Sequence, residues 1–381
     1  MISGKYRKIT GSKATALGLV AASQKSGLQL IYGGYPITPA SEILHELAGY
    51  KHLGVKAMQM EDEIAAISVA IGASYSGALG ATGSSGPGLC LKSEAINLAV
   101  MAELPLIVCN IQRAGPSTGV PTGTEQADLL QMLFGRSGES PVPVLAASNS
   151  ADCFETIYEA CRIAIRYMTP VIFLSEGHIA RGMEIWRIPN VSELPKIEVH
   201  FRTDPEGFAP YQRDPVTLAR PWAVPGTAGL EHRIGGLEKD DTGNVSFEPE
   251  NHEAMTRSRA EKVARIVQDI PPSEIFGEPL GQMLVIGWGG TCSTLRKAVE
   301  NKQQAGASIS HLHLRYLNPL PGDLEDILDR FDKVLIPELN MGQLLKIIRA
   351  RYLVDASGLG KVQGQIFRVP EIEARIEEVL K

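Results

Sequence analysis

Glu61-Asp62-Glu63-Ile64-Ala65-Ala66-Ile67-Ser68-Val69-Ala70-Ile71-Gly72 is the stretch on which the reading of this chain turns. Three acids open it and almost nothing polar follows. Apolar residues at this density predict a helix enclosed on most sides, not an amphipathic surface helix. Carboxylates in a first helical turn are favoured by the helix dipole, and that alone accounts for most acidic triplets. An acid on the inner side of so apolar a helix is desolvated unless it has a designated partner, which singles out Glu63.

Working outward, short apolar strands are expected at 28–32 and 55–60 before this helix and at 78–82 after it. The last runs into Ser84-Ser85-Gly86-Pro87-Gly88, followed by a helix over 89–101 and a continuous apolar strand over 104–111. Helices are expected at 13–25 and 41–48, and strand, helix, strand again at 142–147, 151–168 and 170–175. Strands apolar on both faces and alternating with helices predict a parallel sheet covered on both sides. Between about 190 and 270 proline, glycine and charge rise and apolar runs vanish, as in an ordered crossing segment or a functional insertion. Its end, 250–268, fits one amphipathic helix, and from 282 the α/β alternation restarts. The expected organisation is α/β throughout: a first domain over 1–189, an irregular segment over 190–275 and a smaller domain over 276–381.

Composition narrows the function classes. The chain has 381 residues, 44% apolar and 21% charged, with 37 basic against 43 acidic residues, so 37 − 43 = −6. With a pI near 5.8 it lacks the basic stripe that sequence-independent nucleic-acid binding requires. No apolar run approaches the ~18 residues of a membrane span, and the polar first 14 residues lack a signal peptide's apolar stretch. The five cysteines (Cys90, Cys109, Cys153, Cys161, Cys292) form no CxxC, which predicts reduced thiols in a cytoplasmic protein without iron–sulfur ligation. His178, His232, His252, His311 and His313 show no HxxxH or HExxH spacing, and no metal site is expected.

Four further stretches sit where strands end and helices begin, the ligand-binding edge of an open parallel sheet. Tyr35-Pro36-Ile37-Thr38-Pro39 reads equally as a proline-stiffened loop with Thr38 or Ser41 as a helix cap. In Ser85-Gly86-Pro87-Gly88 the glycines let main chain approach a flat ligand, although a plain turn would look the same. Arg113 leads into Ala114-Gly115-Pro116-Ser117-Thr118-Gly119-Val120-Pro121-Thr122, either a carboxylate clamp or an exposed loop arginine. Gly287-Trp288-Gly289-Gly290 falls short of GxGxxG, and no GxxxxGK[ST] is present, so ATP and dinucleotide readings are poor.

Together these stretches resemble the pyrimidine-binding half of thiamine diphosphate enzymes, which share an acid heading a buried alanine-rich helix and a later Ser-Gly-Pro-Gly loop. The 35–39 and 115–122 stretches narrow the resemblance to alpha subunits of 2-oxoacid:ferredoxin oxidoreductases, most closely the 2-oxoglutarate type. Gln126-Ala127-Asp128-Leu129, Phe134-Gly135-Arg136, Pro225-Gly226-Thr227-Ala228-Gly229-Leu230-Glu231-His232, Glu250-Asn251-His252 and Asn340-Met341-Gly342-Gln343-Leu344 are similar to that family too. The resemblance covers nearly the whole chain after Ile9.

What the resemblance implies is a pyrimidine-binding domain of the thiamine diphosphate fold, followed by a smaller domain like the transketolase C-terminal one. The implied reaction is CoA-acylating oxidative decarboxylation of a 2-oxoacid, foremost 2-oxoglutarate, with electrons passed to ferredoxin. Alternatives are a pyruvate or branched-chain counterpart, a non-redox transketolase-like subunit, or a structural subunit with a vestigial site. By the same resemblance Glu63 would face N1′ of the cofactor's aminopyrimidine, with Tyr35, Pro36, Ile37, Ser85 and Gly86 around it. Thr38 would hold a substrate oxygen, Arg113 a substrate carboxylate, and Ser117, Thr118 and Thr122 would shape that end. No GDG-type diphosphate loop and no cluster cysteines are found, so Mg²⁺ and a 4Fe–4S cluster are expected on a beta subunit, without which the chain is inactive. Apolar helix surface around Glu63 would then face that subunit. Many relatives carry a further N-terminal domain where this chain has a short polar lead, so a separate gamma subunit or a missing gamma domain is expected.

Overall fold

The structure, a computed structural model, describes residues 3–381; the first two residues of the polar lead lie outside the described residues. The chain opens with β1 (Tyr6–Thr10), α1 (Gly11–Ser26), β2 (Leu30–Gly34), α2 (Ser41–Ala48), β3 (Lys56–Gln59) and α3 (Glu63–Tyr75). Then come β4 (Leu79–Ser84), α4 (Gly86–Ala102), β5 (Leu106–Gln112), α5 (Leu129–Phe134), β6 (Val144–Ala146), α6 (Asp152–Tyr167), β7 (Pro170–Glu176), α7 (Gly177–Arg181) and β8 (Met183–Arg187). After an irregular stretch follow α8 (Pro249–Arg265), β9 (Ile275–Phe276), β10 (Gly281–Trp288), α9 (Cys292–Gln304), β11 (Ile309–Leu314) and β12 (Tyr316–Asn318). The last elements are α10 (Leu324–Leu328), β13 (Phe331–Glu338), α11 (Gln343–Tyr352), β14 (Ala356–Gly360) and α12 (Val369–Leu380).

A seven-stranded sheet runs β12-β6-β7-β5-β4-β2-β3, all parallel except the edge strand β12. A five-stranded sheet runs β14-β13-β10-β11-β9, parallel except β9. Both read as α/β layers, as the alternation of apolar strands and helices predicts. Three features differ from the sequence expectation. The α/β alternation expected from 282 onward is interrupted after β11, where β12 crosses to pair Tyr316 with Leu145 in the first sheet. The N-terminal lead contains β1, which pairs antiparallel with β8. The amphipathic helix expected to reach 268 ends as α8 at Arg265 and tightens into a 3₁₀ turn, Ile266–Asp269.

Two glycines set the pose of α3. A Cβ on Gly33 would lie 2.1 Å from the carbonyl oxygen of Ala66, and one on Gly80 would lie 2.1 Å from that of Ala70. The α3 backbone therefore rests directly on β2 and β4, which carries its first turn over the end of β4. The helix is not enclosed all round, however: Ile64 is 52% exposed, and Ser68 and Gly72 share its outward stripe. No other segment among the described residues covers that stripe.

The two sheets share a core. Leu106, Val108, Ile172 and Leu174 of the first sheet join one apolar cluster with Leu284, Ile286, Trp288 and Leu312 of the second. The joint is also hydrogen-bonded where the carboxyl ends of the strands meet. Gln126 Nε2 donates to Trp288 O (2.7 Å), its Oε1 accepts from Leu339 N (3.0 Å), and Glu176 Oε1 accepts from Gly290 N (2.8 Å). Asn340 donates to Gln126 O at 2.8 Å and caps α11 through Gly342 N and Gln343 N. The 340–344 motif is thus spent on this joint. The irregular stretch is ordered and anchored: Trp222 Nε1 donates to Ser74 O at 3.2 Å, and Lys262 of α8 binds buried Glu103 at the end of α4.

Candidate functional site

The four stretches that hold the candidate site residues lie at the carboxyl ends of parallel strands in the first sheet. Tyr35 follows β2, Glu63 follows β3, Ser85 follows β4 and Arg113 follows β5.

The acidic triplet divides its labour. Asp62 is the cap of α3, its Oδ1 accepting from Ala65 N at 2.7 Å, so Glu63 is free of that duty. Glu61 and Asp62 are exposed while Glu63 is only 8% exposed. The Glu63 carboxylate lies against Gly88 and Ser84: a Cβ on Gly88 would fall 2.8 Å from Glu63 Oε1 and 2.0 Å from Ser84 Oγ. A side chain at Gly88 would displace the carboxylate, which gives this glycine a reason that a plain turn does not supply.

Ser85 begins α4 without a side-chain cap, and Gly86 and Pro87 form its first turn. Gly86 faces Asp128, whose carboxylate accepts from Asn110 Nδ2 at 3.1 Å and which burial pushes above the usual aspartate range. Glu125 beside it is also shifted up by burial. Around this loop several buried polar atoms have no partner among the described residues: Ser84 Oγ, Ser85 Oγ, Asn110 Oδ1 and Arg113 Nε. Unmet donors and acceptors gathered at the strand ends of an α/β sheet mark a place where a polar ligand completes the set.

Arg113 is not an exposed loop arginine. It is 7% exposed, and its guanidinium reaches across the end of β4 to donate to Thr38 O at 2.7 Å. Neither Thr38 nor Ser41 side chain caps α2, which begins at Ala40 without a side-chain cap, and Thr38 is exposed. Tyr35 is 37% exposed and Pro36 is exposed beside it, with Ile37 half-buried; Ile37 O accepts from Ser41 N at 3.0 Å. The loop after Arg113 is pinned by Ala114 N to Gly123 O (3.1 Å) and Val120 N to Ala114 O (3.0 Å), leaving Ser117 and Thr118 exposed at its tip. Thr122 is exposed too, but it lines a separate cleft of about 620 Å³ with His178, Arg181 and Arg368. The structure therefore joins Arg113 to Thr38 and Glu63 to the 85–88 loop. A cavity of about 810 Å³ lies elsewhere, between α6 and the irregular stretch, and is lined by none of these residues.

Sequence reasoning missed Lys92, Asn110 and Asp128. Lys92 is fully buried and donates to Glu63 O at 2.7 Å; burial pushes its ammonium down to about 8, against the pull of Glu63 and Asp62. A lone lysine inside a helix as apolar as α4 was the available signal.

No helix among the described residues is long and apolar enough to cross a membrane. The profile of the family described as pyruvate flavodoxin/ferredoxin oxidoreductase, thiamine diphosphate-binding, matches residues 24–249. The chain is 53% identical over 380 residues to the 2-oxoglutarate oxidoreductase subunit KorA of Mycobacterium tuberculosis, covering 99% of this chain and 58% of that one. It is 31% identical to the 2-oxoglutarate synthase subunit KorA of Methanocaldococcus jannaschii, covering 98% of this chain and 99% of that one. Its structure is similar to the 2-oxoglutarate:ferredoxin oxidoreductase of Magnetococcus marinus with 2-oxoglutarate, coenzyme A and succinyl-CoA bound (TM-score 0.94, 32% identity, 99% of this chain and 66% of that one). A split-gene transketolase shares the fold at a TM-score of 0.55 and 12% identity. The chain thus spans little more than half the length of the mycobacterial relative.

Proposed function

This chain belongs to the pyruvate flavodoxin/ferredoxin oxidoreductase, thiamine diphosphate-binding family, and from that footing we propose that it is the alpha subunit of a 2-oxoglutarate:ferredoxin oxidoreductase. The observation that carries this reading is Glu63: a buried carboxylate, relieved of capping by Asp62 and held against a glycine that leaves room for a flat ring. The names of the relatives and of the Magnetococcus marinus structure support 2-oxoglutarate as substrate and coenzyme A as acyl acceptor.

The residues at the strand ends fit the aminopyrimidine half of thiamine diphosphate. Bound there, the cofactor supplies an electron sink that lets a 2-oxoacid lose carbon dioxide. Glu63 holds a shared proton at N1′; in a site closed to water such a carboxylate–nitrogen hydrogen bond is strong and directed. Ser85 and Gly86, with Tyr35, Pro36 and Ile37, would hold the ring. Arg113, already oriented by Thr38 O, binds a carboxylate of the substrate through its remaining donors. Thr38 holds a substrate oxygen, and Ser117, Thr118 and Thr122 bound the distal end.

The diphosphate, Mg²⁺ and a 4Fe–4S cluster belong to a beta subunit that closes the site and passes electrons to ferredoxin. Support comes from the missing GDG-type run and from the apolar surface beside Glu63, where Met58, Ile64 and Leu91 are 42%, 52% and 54% exposed. The share of the mycobacterial relative left uncovered supports a gamma domain or subunit. The division at 1–189, 190–275 and 276–381 and a cytoplasmic place belong to the same reading.

The test is turnover of the assembled alpha–beta complex on a panel of 2-oxoacids with coenzyme A, read by reduction of a viologen. 2-Oxoglutarate should be the preferred substrate, and Glu63→Gln should lower kcat by about 10²–10⁴-fold, the usual worth of a positioned proton acceptor. Near-normal turnover in Glu63→Gln would falsify the role of this carboxylate; no turnover of any 2-oxoacid by the unaltered complex would remove the whole reading.

A further inference from the structure

Lys92 has no place in the roles above, yet it is among the largest fully buried side chains of the described residues. Resting on the reading of Glu63 just given, we propose that Lys92 is a positioning residue for that carboxylate, anchoring the first turn of α3 through the Glu63 main chain and holding a positive charge beside it. Its Nζ, from the second turn of α4, donates to the main-chain oxygen of Glu63 at 2.7 Å.

A buried ammonium is costly, losing several kcal/mol of hydration that a methionine of similar length would not. Packing of α4 on α3 therefore does not explain a lysine. Nor does helix stability: a cation beside the positive end of α3 opposes the helix dipole. The charged groups that act on Lys92 are Glu63 and Asp62, both on that first turn, and Asp62 is exposed and engaged as the cap. What the ammonium does meet is Glu63, a buried acid in its reach. Tethered to the Glu63 carbonyl, it also keeps the first residue of α3 from shifting as the carboxylate changes partner.

The test follows the carboxyl carbon of Glu63 by NMR in the full chain labelled at glutamate Cδ, assigned with Glu63→Gln, alongside the Cε signal of Lys92. In the unaltered protein the Glu63 signal should step where Lys92 loses its proton, expected near pH 8. In Lys92→Met the step should vanish. In the assembled complex Lys92→Met should lower kcat about tenfold with little change in KM, with the pH profile displaced, and Lys92→Arg should restore part of it. A Glu63 signal blind to Lys92 in the unaltered protein overturns the proposal even if Lys92→Met does not fold. A folded Lys92→Met with the unaltered profile overturns it as well. If the complex turns over no 2-oxoacid but the two signals are coupled, the positioning role of Lys92 stands and the functional reading fails.

Discussion

Gly88 lies against the Glu63 carboxylate with no room for a methyl group: its Cβ position is 2.8 Å from Glu63 Oε1 and 2.0 Å from Ser84 Oγ. The loop after β4 and the first turn of α3 are therefore one unit, and a change in the loop is a change in the pose of the acid.

Gly88→Ala should accordingly move Glu63 or strain α4. Overpacking of this kind costs about 1–3 kcal/mol, visible as a lower melting temperature. The sharper readout is calorimetric affinity of the assembled complex for thiamine diphosphate with Mg²⁺, which should fall at least tenfold. Unchanged affinity in the folded variant would separate Gly88 from the site.

Arg113→Met removes a charged donor that Thr38 O already orients. A hydrogen bond to a charged group is worth about 1.5–3 kcal/mol, so KM for the 2-oxoacid should rise roughly 10–100-fold, with a smaller effect on kcat. Steady-state kinetics decide this; a fall in kcat at constant KM would instead give Arg113 a role in the chemical step alone.

Glu103→Gln tests the anchor of the irregular stretch. Glu103 is buried and pairs with Lys262 and Arg213, which draw its carboxyl from its ordinary 4.5 to about 2 against the effect of burial. Leaving those cations unpaired should cost about 3–5 kcal/mol at pH 7 in denaturant unfolding. A carboxylate held below its unfolded value stabilises fully above pH 4.5 and loses that contribution as pH falls towards 2, so the penalty should shrink at pH 3.

Glu176 carries the opposite sign. Burial at the joint raises it from 4.5 to about 8, and its Oε2 has no partner among the described residues. Between those values the folded chain holds a proton that the unfolded chain does not, so stability is intact below pH 4.5 and is lost as pH rises towards 8. Glu176→Gln keeps an acceptor for Gly290 N without a charge. Relative to the unaltered chain, it should gain on the order of 2 kcal/mol between pH 5 and pH 9. Parallel denaturant curves with pH would refute the buried ionisation.

The α/β alternation, the position of each loop at a strand end and the choice of Glu63, Thr38 and Arg113 as candidates are legible in the sequence. They are local: hydrophobic period, glycine placement and an acid at the head of an apolar run are properties of neighbours along the chain. Asn340 and Gln343 stand out as a motif equally well, but nothing local says that they fasten one sheet to the other.

Which of three consecutive acids is buried is a different kind of fact. Asp62 and Glu63 are adjacent, and only the resting of α3 on Gly33 and Gly80 turns one outward as a cap and the other inward against Gly88. The burial of Lys92, the reach of Arg113 over β4 and the departure of β12 to the first sheet are likewise settled by packing between segments far apart in the chain. Sequence alone specifies which residue types occur and the repeating pattern that folds them; desolvation and contact arise only when distant surfaces exclude water from one another, and those decide which side chains can act.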